Sequence, residues 1–172
     1  MIPVVLVVGP SGVGKTTFLE KLLPRLKERG LRAAYLKHFH GDFSLDQPGK
    51  DTWRLARAGA DAVALSTPQK FALIRRLEGE LSLEEIVEGL RDYDLVLAEG
   101  YKGAPYPKLQ VFRRGFPAKL LAPPGYLIGA VADSPLDLDV PTFAFTDIEG
   151  VAGLLLDYCR QCRGKGAGKE TV

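Results

Sequence analysis

The sequence predicts an α/β fold with three layers, α/β/α, in which helices cover both faces of a mostly parallel sheet. Short β-branched runs alternate with helical periods along the chain. The first run, Ile2–Val8, is continuously apolar, as expected of a strand covered on both faces. The 172 residues are 46% hydrophobic and 26% charged, so we expect a single domain over residues 1–162. Residues 163–172 are rich in Gly and Lys, and we expect a disordered tail there.

The strands are predicted wherever β-branched and apolar residues form short runs between turn-forming residues. Turn-forming residues such as Gly41, Pro48 and Gly49 mark the longest polar stretch between two such runs. The predicted strands are Ile2–Val8, Arg32–His38, Ala60–Ser66, Phe71–Arg76, Leu95–Ala98, Leu109–Phe112, Tyr126–Ala132 and Thr142–Phe145.

The helices are predicted from apolar residues at helical spacing and from capping residues. The first runs from Lys15 to Arg29, with Pro24 expected to kink it and Gly30 to end it. Ser82 and Glu85 form a capping box that opens another. The helices after the first are predicted at Asp51–Ala58, from Ser82 to Leu90, and from a Thr146 cap to Cys162.

A phosphate-binding motif follows the first predicted strand. Residues 9–17 read GPSGVGKTT, which contains the whole pattern G-x-x-x-x-G-K-[ST]. In this pattern backbone N–H groups close around phosphate oxygens, the lysine reaches the β- and γ-phosphates, and the hydroxyl ligates Mg²⁺. We therefore predict that the chain binds a nucleoside triphosphate through Gly9, Pro10, Ser11, Gly12, Val13, Gly14, Lys15, Thr16 and Thr17.

An acidic residue ends the apolar run that begins at Leu95. A carboxylate at the end of a strand can orient Mg²⁺ or the attacking water, so we predict that Glu99 is catalytic and shares a metal site with Thr16. Gly100 would permit a close backbone approach to the γ-phosphate. Lys102 would contact a phosphate or a partner.

A second polar stretch runs from Lys37 to Arg54. Its carboxylates could hold the water shell of Mg²⁺, and its cations could neutralise charge on a transferred phosphoryl group. From this stretch we predict Lys37, Asp42, Lys50 and Asp51 as nucleotide-binding residues and Arg54 as catalytic, while a metal role for His38 and His40 stays open. Asp133, at the end of a predicted strand, could pair with a base edge, and the residues leave ATP and GTP both open.

Charge and hydropathy exclude several classes of partner. The formal net charge is only +2, so we expect neither nucleic acid nor a membrane as a partner. No apolar stretch approaches the 18 residues of a membrane span, and we expect a cytoplasmic protein with Cys159 and Cys162 reduced. These two thiols supply only half of a structural zinc site.

The chain resembles the MobB family, named for molybdopterin-guanine dinucleotide biosynthesis protein B. The resemblance lies in Lys37-His38-x-His40, Asp42, Asp46-x-Pro48-Gly49-Lys50-Asp51-Thr52-x-Arg54 and Ala58-Gly59-Ala60, followed by Glu99-Gly100-Tyr101-Lys102, Pro107-Lys108-Leu109-Gln110-Val111-x-Arg113, Ala130-Val131-Ala132-Asp133 and Phe145-x-Asp147-Ile148. It covers about residues 2–155. Two positions depart from the family pattern: Gly41 stands where a second consecutive histidine is expected, and Gln110 where an acid is common.

The resemblance implies a GTP-binding protein with weak, Mg²⁺-dependent GTPase activity. It would assist a MobA-type guanylyltransferase, which attaches GMP to molybdopterin. It would also interact with molybdopterin-binding enzymes, and it would form a homodimer. Carried over to this chain, Gly9–Thr17 would hold the phosphates, Thr16 and Glu99 would hold Mg²⁺, and Lys37–Arg54 would form the adjoining face. A small-molecule kinase, an ATP-dependent accessory protein and a non-hydrolysing binding module remain the alternatives.

Overall fold

The computed structural model describes residues 2–43 and 46–166. Its contacts divide the chain into two compact units. The first consists of Met1–Phe39 and Glu84–Val172, and the second of His40–Leu83. Our expectation of one domain over residues 1–162 stays a prediction, because two compact units can belong to a single domain.

Eight strands and four helices make up the described parts of the chain. In chain order they are β1 (Val4–Val8), α1 (Lys15–Glu28), β2 (Ala33–Lys37), α2 (Asp51–Arg57), β3 (Ala62–Ser66), β4 (Phe71–Arg75), α3 (Leu83–Glu88), β5 (Leu95–Glu99), β6 (Lys108–Val111), β7 (Leu127–Ala132), β8 (Thr142–Ala144) and α4 (Ile148–Gly166). Each was expected from the sequence, with bounds that differ by a few residues.

The first unit is built on a six-stranded sheet in the order β2-β5-β1-β6-β7-β8. Every neighbouring pair in it is parallel. All five residues of β1 and all five of β5 are buried, which accounts for the apolar runs Val4–Val8 and Leu95–Ala98, while the last residue of β5, Glu99, is a buried acid. The prediction of an α/β fold with a mostly parallel sheet is confirmed.

The main core lies where α1 and α4 pack together against one face of this sheet. Phe18, Leu22 and Leu26 of α1 meet Leu155 of α4 there, together with inward-facing residues of β1, β5, β6 and β7. The opposite face carries a smaller cluster of Phe112, Ala130 and Ala132. Side chains alternate between faces along a strand, so both faces of the central strands are buried.

The end of α1 is fixed by two backbone bonds. The N–H of Gly30 donates to the Lys27 carbonyl, and the N–H of Leu31 donates to the Leu26 carbonyl. This pair of bonds is a Schellman motif, and Gly30 ends the helix as expected. Pro24 lies inside α1, and the kink expected there stays a prediction.

Gln110 is a fully buried polar residue in the middle of the sheet. Its amide nitrogen donates to the Lys119 carbonyl, and its amide oxygen accepts the N–H groups of Leu121 and Ala122. An uncharged amide supplies both the donor and the acceptor that this segment needs. The position that departs from the family pattern therefore holds a loop that follows β6.

The second unit contains α2 and a two-stranded antiparallel sheet of β3 and β4, in which Ala62 pairs with Arg75 and Ser66 with Phe71. These strands therefore form a hairpin of their own. Large apolar side chains stand exposed on it, with Phe71 69% exposed, Leu65 54% and Leu73 51%.

The last helix is longer than expected. It continues to Gly166, so the first residues of the predicted disordered tail, 163–166, are helical, which corrects that part of the prediction. The remaining tail residues, 167–172, lie outside the described part of the chain. Among the described residues, no helix has the length and apolar character that crossing a membrane requires.

Candidate functional site

The phosphate loop joins the buried strand β1 to the N-terminus of α1. Gly14 is the N-cap, with φ of 105°, and no side chain caps the helix. A Cβ on Gly14 would lie 3.2 Å from Nη1 of Arg113 and would need a backbone conformation that L residues rarely adopt. The helix therefore offers uncapped backbone N–H groups and the positive end of its dipole at this edge of the sheet, which suits a phosphate group.

Lys15 lies inside this loop and is mostly buried. Its Nζ donates to the carbonyls of Pro10, at 2.9 Å, and Gly9, at 3.2 Å. The same Nζ lies 3.9 Å from Oε2 of Glu99. Burial lowers the pKa of Lys15; Glu99 opposes that change, and the charges of Lys102 and Lys37 add to it. The structure therefore brings Lys15, Lys37, Lys102 and Glu99 into one electrostatic cluster.

Glu99 is the last residue of β5 and is only 7% exposed. Its register partner in β2 is Lys37, and its Oε1 accepts a hydrogen bond of 3.0 Å from the Tyr35 hydroxyl. Burial and the neighbouring carboxylate raise the pKa of Tyr35 to about 12, so the phenol stays a hydrogen-bond donor. The sequence did not single out Tyr35, although its two-residue offset from Lys37 in β2 places both on the same face of the sheet.

Gly100 has a packing role at the end of β5. Its φ is +103°, and a Cβ there would lie only 2.2 Å from the carbonyl oxygen of His38. The N–H of His38 donates to the Glu99 carbonyl, and the His38 ring stacks on Tyr101 with centroids 4.6 Å apart. The close approach that requires glycine is thus between the segments after β2 and β5, and a phosphate contact at Gly100 stays a prediction.

The hydroxyl and carboxylate predicted to ligate Mg²⁺ both lie at the carboxyl edge of the sheet. Thr16 is an exposed residue in the first turn of α1, next to Lys15, and Glu99 ends the neighbouring strand β5. Mg²⁺ prefers hard oxygen donors and keeps several waters, so one hydroxyl and one carboxylate suit it. The hydroxyl of Thr16 and the carboxylate of Glu99 are therefore suitable ligands for Mg²⁺.

Asp133 follows β7 directly, on the other side of β1 from Glu99. Its Oδ1 accepts the backbone N–H of Arg114 at 3.0 Å, and its Oδ2 lies 4.0 Å from Nε of Arg113. The Arg113 guanidinium lies over the Phe145 ring, with Cζ 5.1 Å from the ring centroid. Sequence reasoning gave Arg113 no role in the site, because no local motif relates it to Gly14 or Phe145.

Four predicted site residues belong to the second unit. Lys50 is the N-cap of α2, Asp51 begins that helix, Arg54 lies within it, and Asp42 accepts the N–H of Phe43. All four are exposed, and their participation in a nucleotide site stays a prediction. Within residues 2–43 and 46–166, His, Cys, Asp and Glu side chains form no group of three or more that could hold a metal ion.

A parallel sheet in this strand order, with a glycine-rich loop between β1 and α1 and an acid ending the strand beside β1, defines an α/β fold of the P-loop NTPase type. The model of the family "MobB: Molybdopterin guanine dinucleotide synthesis protein B" matches residues 4–133. The chain belongs to the MobB family.

Individual relatives agree with this assignment. The molybdopterin-guanine dinucleotide biosynthesis adapter protein of Escherichia coli is 36% identical over 95% of this chain and 97% of its own length. The adapter protein of the same name from Haemophilus influenzae is 32% identical over 95% of this chain and 93% of its own. A crystal structure of molybdopterin-guanine biosynthesis protein B superposes with a TM-score of 0.74 at 31% identity, covering 91% of this chain and 99% of that one.

Proposed function

We propose that this chain is a GTP-binding adapter for the attachment of GMP to molybdopterin, the step that makes molybdopterin-guanine dinucleotide. The relatives' names supply the biosynthetic process, and the phosphate loop at Gly9–Thr17 supplies the nucleotide site. The partners would be a MobA-type guanylyltransferase and enzymes that bind molybdopterin.

The observation that carries the proposal is the imbalance of charge around Lys15. The charges of Lys37 and Lys102 both act on the Lys15 ammonium, and Glu99 is the carboxylate that opposes them there. Lys15 is also desolvated, which penalises its charged form. A polyphosphate would supply the missing negative charge, and the uncapped N-terminus of α1 would bind it in the same place.

A slow hydrolysis is the activity that this arrangement supports. Mg²⁺ held by Thr16 and Glu99 would neutralise charge on the β- and γ-phosphate oxygens. Tyr35 donates to one oxygen of Glu99, and the other faces Lys15, and these two contacts would orient the carboxylate to position a water. In P-loop NTPases an arginine supplied to the γ-phosphate accelerates the reaction strongly. Arg54 is our candidate for that role, and we expect little turnover without it.

Guanine selection is assigned to Asp133. A carboxylate can accept hydrogen bonds from the N1–H and the amino group of guanine, whereas the Watson–Crick edge of adenine offers a donor beside an acceptor. Asp133 lies at the carboxyl end of β7, two strands from β1, and its carboxylate is already oriented by the backbone of Arg114. We therefore expect GTP to bind more tightly than ATP.

We also propose that the protein acts as a homodimer. Phe71 and Leu73, two residues apart in β4, lie on one face of the hairpin and are both more than half exposed, while Leu65, paired with Ala72, is exposed on the other face. Neighbouring exposed apolar side chains of this size are typical of a surface that another protein covers. A second copy of the chain is the partner that the family resemblance suggests.

The proposal is tested by titrating the protein with GTP and with ATP, each with Mg²⁺, in a calorimeter. Lys15→Ala should abolish binding of GTP, because it removes the cation within the loop. Lys27→Ala removes an equal charge from an exposed position on the same helix and should leave the affinity unchanged. If Lys15→Ala binds GTP within threefold of the unaltered protein, the nucleotide site lies elsewhere. Phosphate release without any acceptor would argue against a kinase.

A further inference from the structure

We propose that Arg113 and Phe145 form a stacking shelf for the base of the bound nucleotide. This inference rests on the proposed function, since it assigns the nucleoside end of the same site. The two residues lie far apart in the chain and meet because Arg113 follows β6 and Phe145 follows β8 at one edge of the sheet.

The ring of Phe145 is held in place by a contact with the main core. It packs edge-on against Phe18 of the main core, with centroids 6.2 Å apart and planes at 87°. The Arg113 guanidinium lies over this ring, and the Arg113 side chain remains 48% exposed. The guanidinium thus has an aromatic ring on one side, with Cζ 5.1 Å from its centroid, while much of the side chain stays accessible. Guanidinium planes stack well on nucleobases.

The shelf adjoins the phosphate loop. Nη1 of Arg113 lies 3.2 Å from the position that a Cβ on Gly14 would occupy. Gly14, Thr17, Phe18 and Lys21 line a small cavity of about 130 Å³ together with Arg113 and Phe145. A cavity of this size is well below that which encloses a drug-sized ligand, so a flat ring would lie over it rather than within it.

The positions of the charged groups fix which end of a nucleotide would reach the shelf. Glu99 and Lys37 lie on the β5 and β2 side of β1, whereas Arg113 lies on the β6 side. The γ-phosphate belongs near Glu99 and Lys15, where the metal and the water are expected. The nucleoside end of a triphosphate running along the loop would therefore leave it on the side of Arg113.

Stacking tolerates any base, because every base has a π-face. The shelf should therefore strengthen the binding of GTP and ATP by a similar factor, while Asp133 distinguishes between them. It should contribute nothing to the binding of inorganic tripolyphosphate, which has no base. This difference separates a stacking residue from a phosphate ligand.

The test compares calorimetric affinities for MgGTP and for magnesium tripolyphosphate. Arg113→Ala should weaken GTP binding about tenfold or more and change tripolyphosphate binding less than twofold. Arg113→Lys keeps the positive charge but loses the planar guanidinium group. Its affinities for the two probes should therefore resemble those of Arg113→Ala. Phe145→Leu preserves an apolar contact with Phe18. It should also weaken the binding of GTP while leaving the binding of tripolyphosphate unchanged. Arg114→Ala removes the same charge one residue away but keeps the backbone N–H that donates to Asp133, so it should leave both affinities unchanged.

Three results would overturn the shelf alone, and a fourth would overturn it together with the proposed function. Equal weakening of both probes by Arg113→Ala would make Arg113 a phosphate ligand. Full GTP affinity in Arg113→Lys or in Arg113→Ala would exclude stacking. An unaltered protein that binds tripolyphosphate as tightly as GTP would have no nucleoside subsite, although the phosphate site would stand. If the unaltered protein binds neither probe, the proposed function fails together with the shelf.

Discussion

Glu99 is oriented by partners from two other segments of the chain. Tyr35 of β2 donates to one carboxylate oxygen, and the ammonium of Lys15 in α1 faces the other. Tyr35 constrains the carboxylate without adding a charge, since a phenol whose pKa is raised to about 12 stays uncharged near neutrality. We therefore propose Glu99 as the residue at which binding and hydrolysis can be separated.

Glu99→Gln should spare GTP binding and remove hydrolysis. The amide keeps the size of the side chain and an oxygen that can accept a hydrogen bond from the Tyr35 hydroxyl, but it loses the charge that we propose orients the attacking water. We expect GTP affinity within about threefold of the unaltered protein and phosphate release reduced by about 100-fold or more. Glu20→Gln, at an exposed position on α1, is the control. Normal hydrolysis by Glu99→Gln would remove Glu99 from the mechanism.

The pH dependence of tripolyphosphate binding should reveal the lowered pKa of Lys15. Burial disfavours the ammonium form in the free protein, and a bound anion favours it, so binding raises this pKa and takes up a proton. Affinity should therefore be full below the pKa of the free protein. It should fall as the pH rises through that value, earlier than the ordinary value of 10.5 would give.

Calorimetry between about pH 7 and pH 10 measures this fall. Lys15→Arg keeps a cation that does not titrate in this range. Whatever its affinity, it should lose much of the pH dependence. An unaltered protein whose affinity is constant across the range would show that Lys15 keeps an ordinary pKa.

The segments that follow β2 and β5 approach each other closely at Gly100. Gly100→Ala should destabilise the protein by about 2 kcal/mol or more, because the new Cβ would meet the His38 carbonyl in a left-handed backbone conformation. Gly103→Ala is a matched control from the same segment, with nothing within 4 Å and no positive φ. Urea unfolding measures both variants. A loss below about 0.5 kcal/mol for Gly100→Ala would show that the two segments separate easily.

The elements of the sheet could be predicted because their signals are local. The loop of residues 9–17, Gly30 after α1 and the buried runs of β1 and β5 each identify a strand or a helix end from a few neighbouring residues. The separate pairing of β3 with β4 could not be predicted in this way. A period of two indicates a strand, but it does not say to which sheet the strand belongs.

The candidate site shows the same division between local and distant signals. Lys15, Thr16 and Glu99 follow from motifs, and the structure places Lys15 beside Glu99. Tyr35 and Arg113 did not follow, because Tyr35 meets Glu99 and Arg113 meets Gly14 and Phe145 only through the fold. Side-chain contacts between distant segments depend on strand order, which one sequence does not reveal.

The proposed homodimer is a property of the assembled protein, and sedimentation tests it. Phe71→Glu places a charge where a 69% exposed aromatic ring now stands on the hairpin, and it should shift the protein towards monomer. Leu120→Glu changes another exposed apolar residue, 45% exposed in the first unit, and should not. A dimer unaffected by Phe71→Glu would place the interface elsewhere, and a monomeric unaltered protein would contradict the proposal.

The central position of β1 has a consequence for how the molecule is made. Val4 pairs with Val96, and Val7 pairs with Leu109. Strand β1 can therefore pair with its neighbours only after segments that leave the ribosome much later. Such distant pairing slows folding and delays the burial of apolar strands. A nascent chain in which Gly9–Thr17 has already been synthesised would therefore lack a correctly folded phosphate loop. GTP should be able to bind only once β5 and β6 have paired with β1.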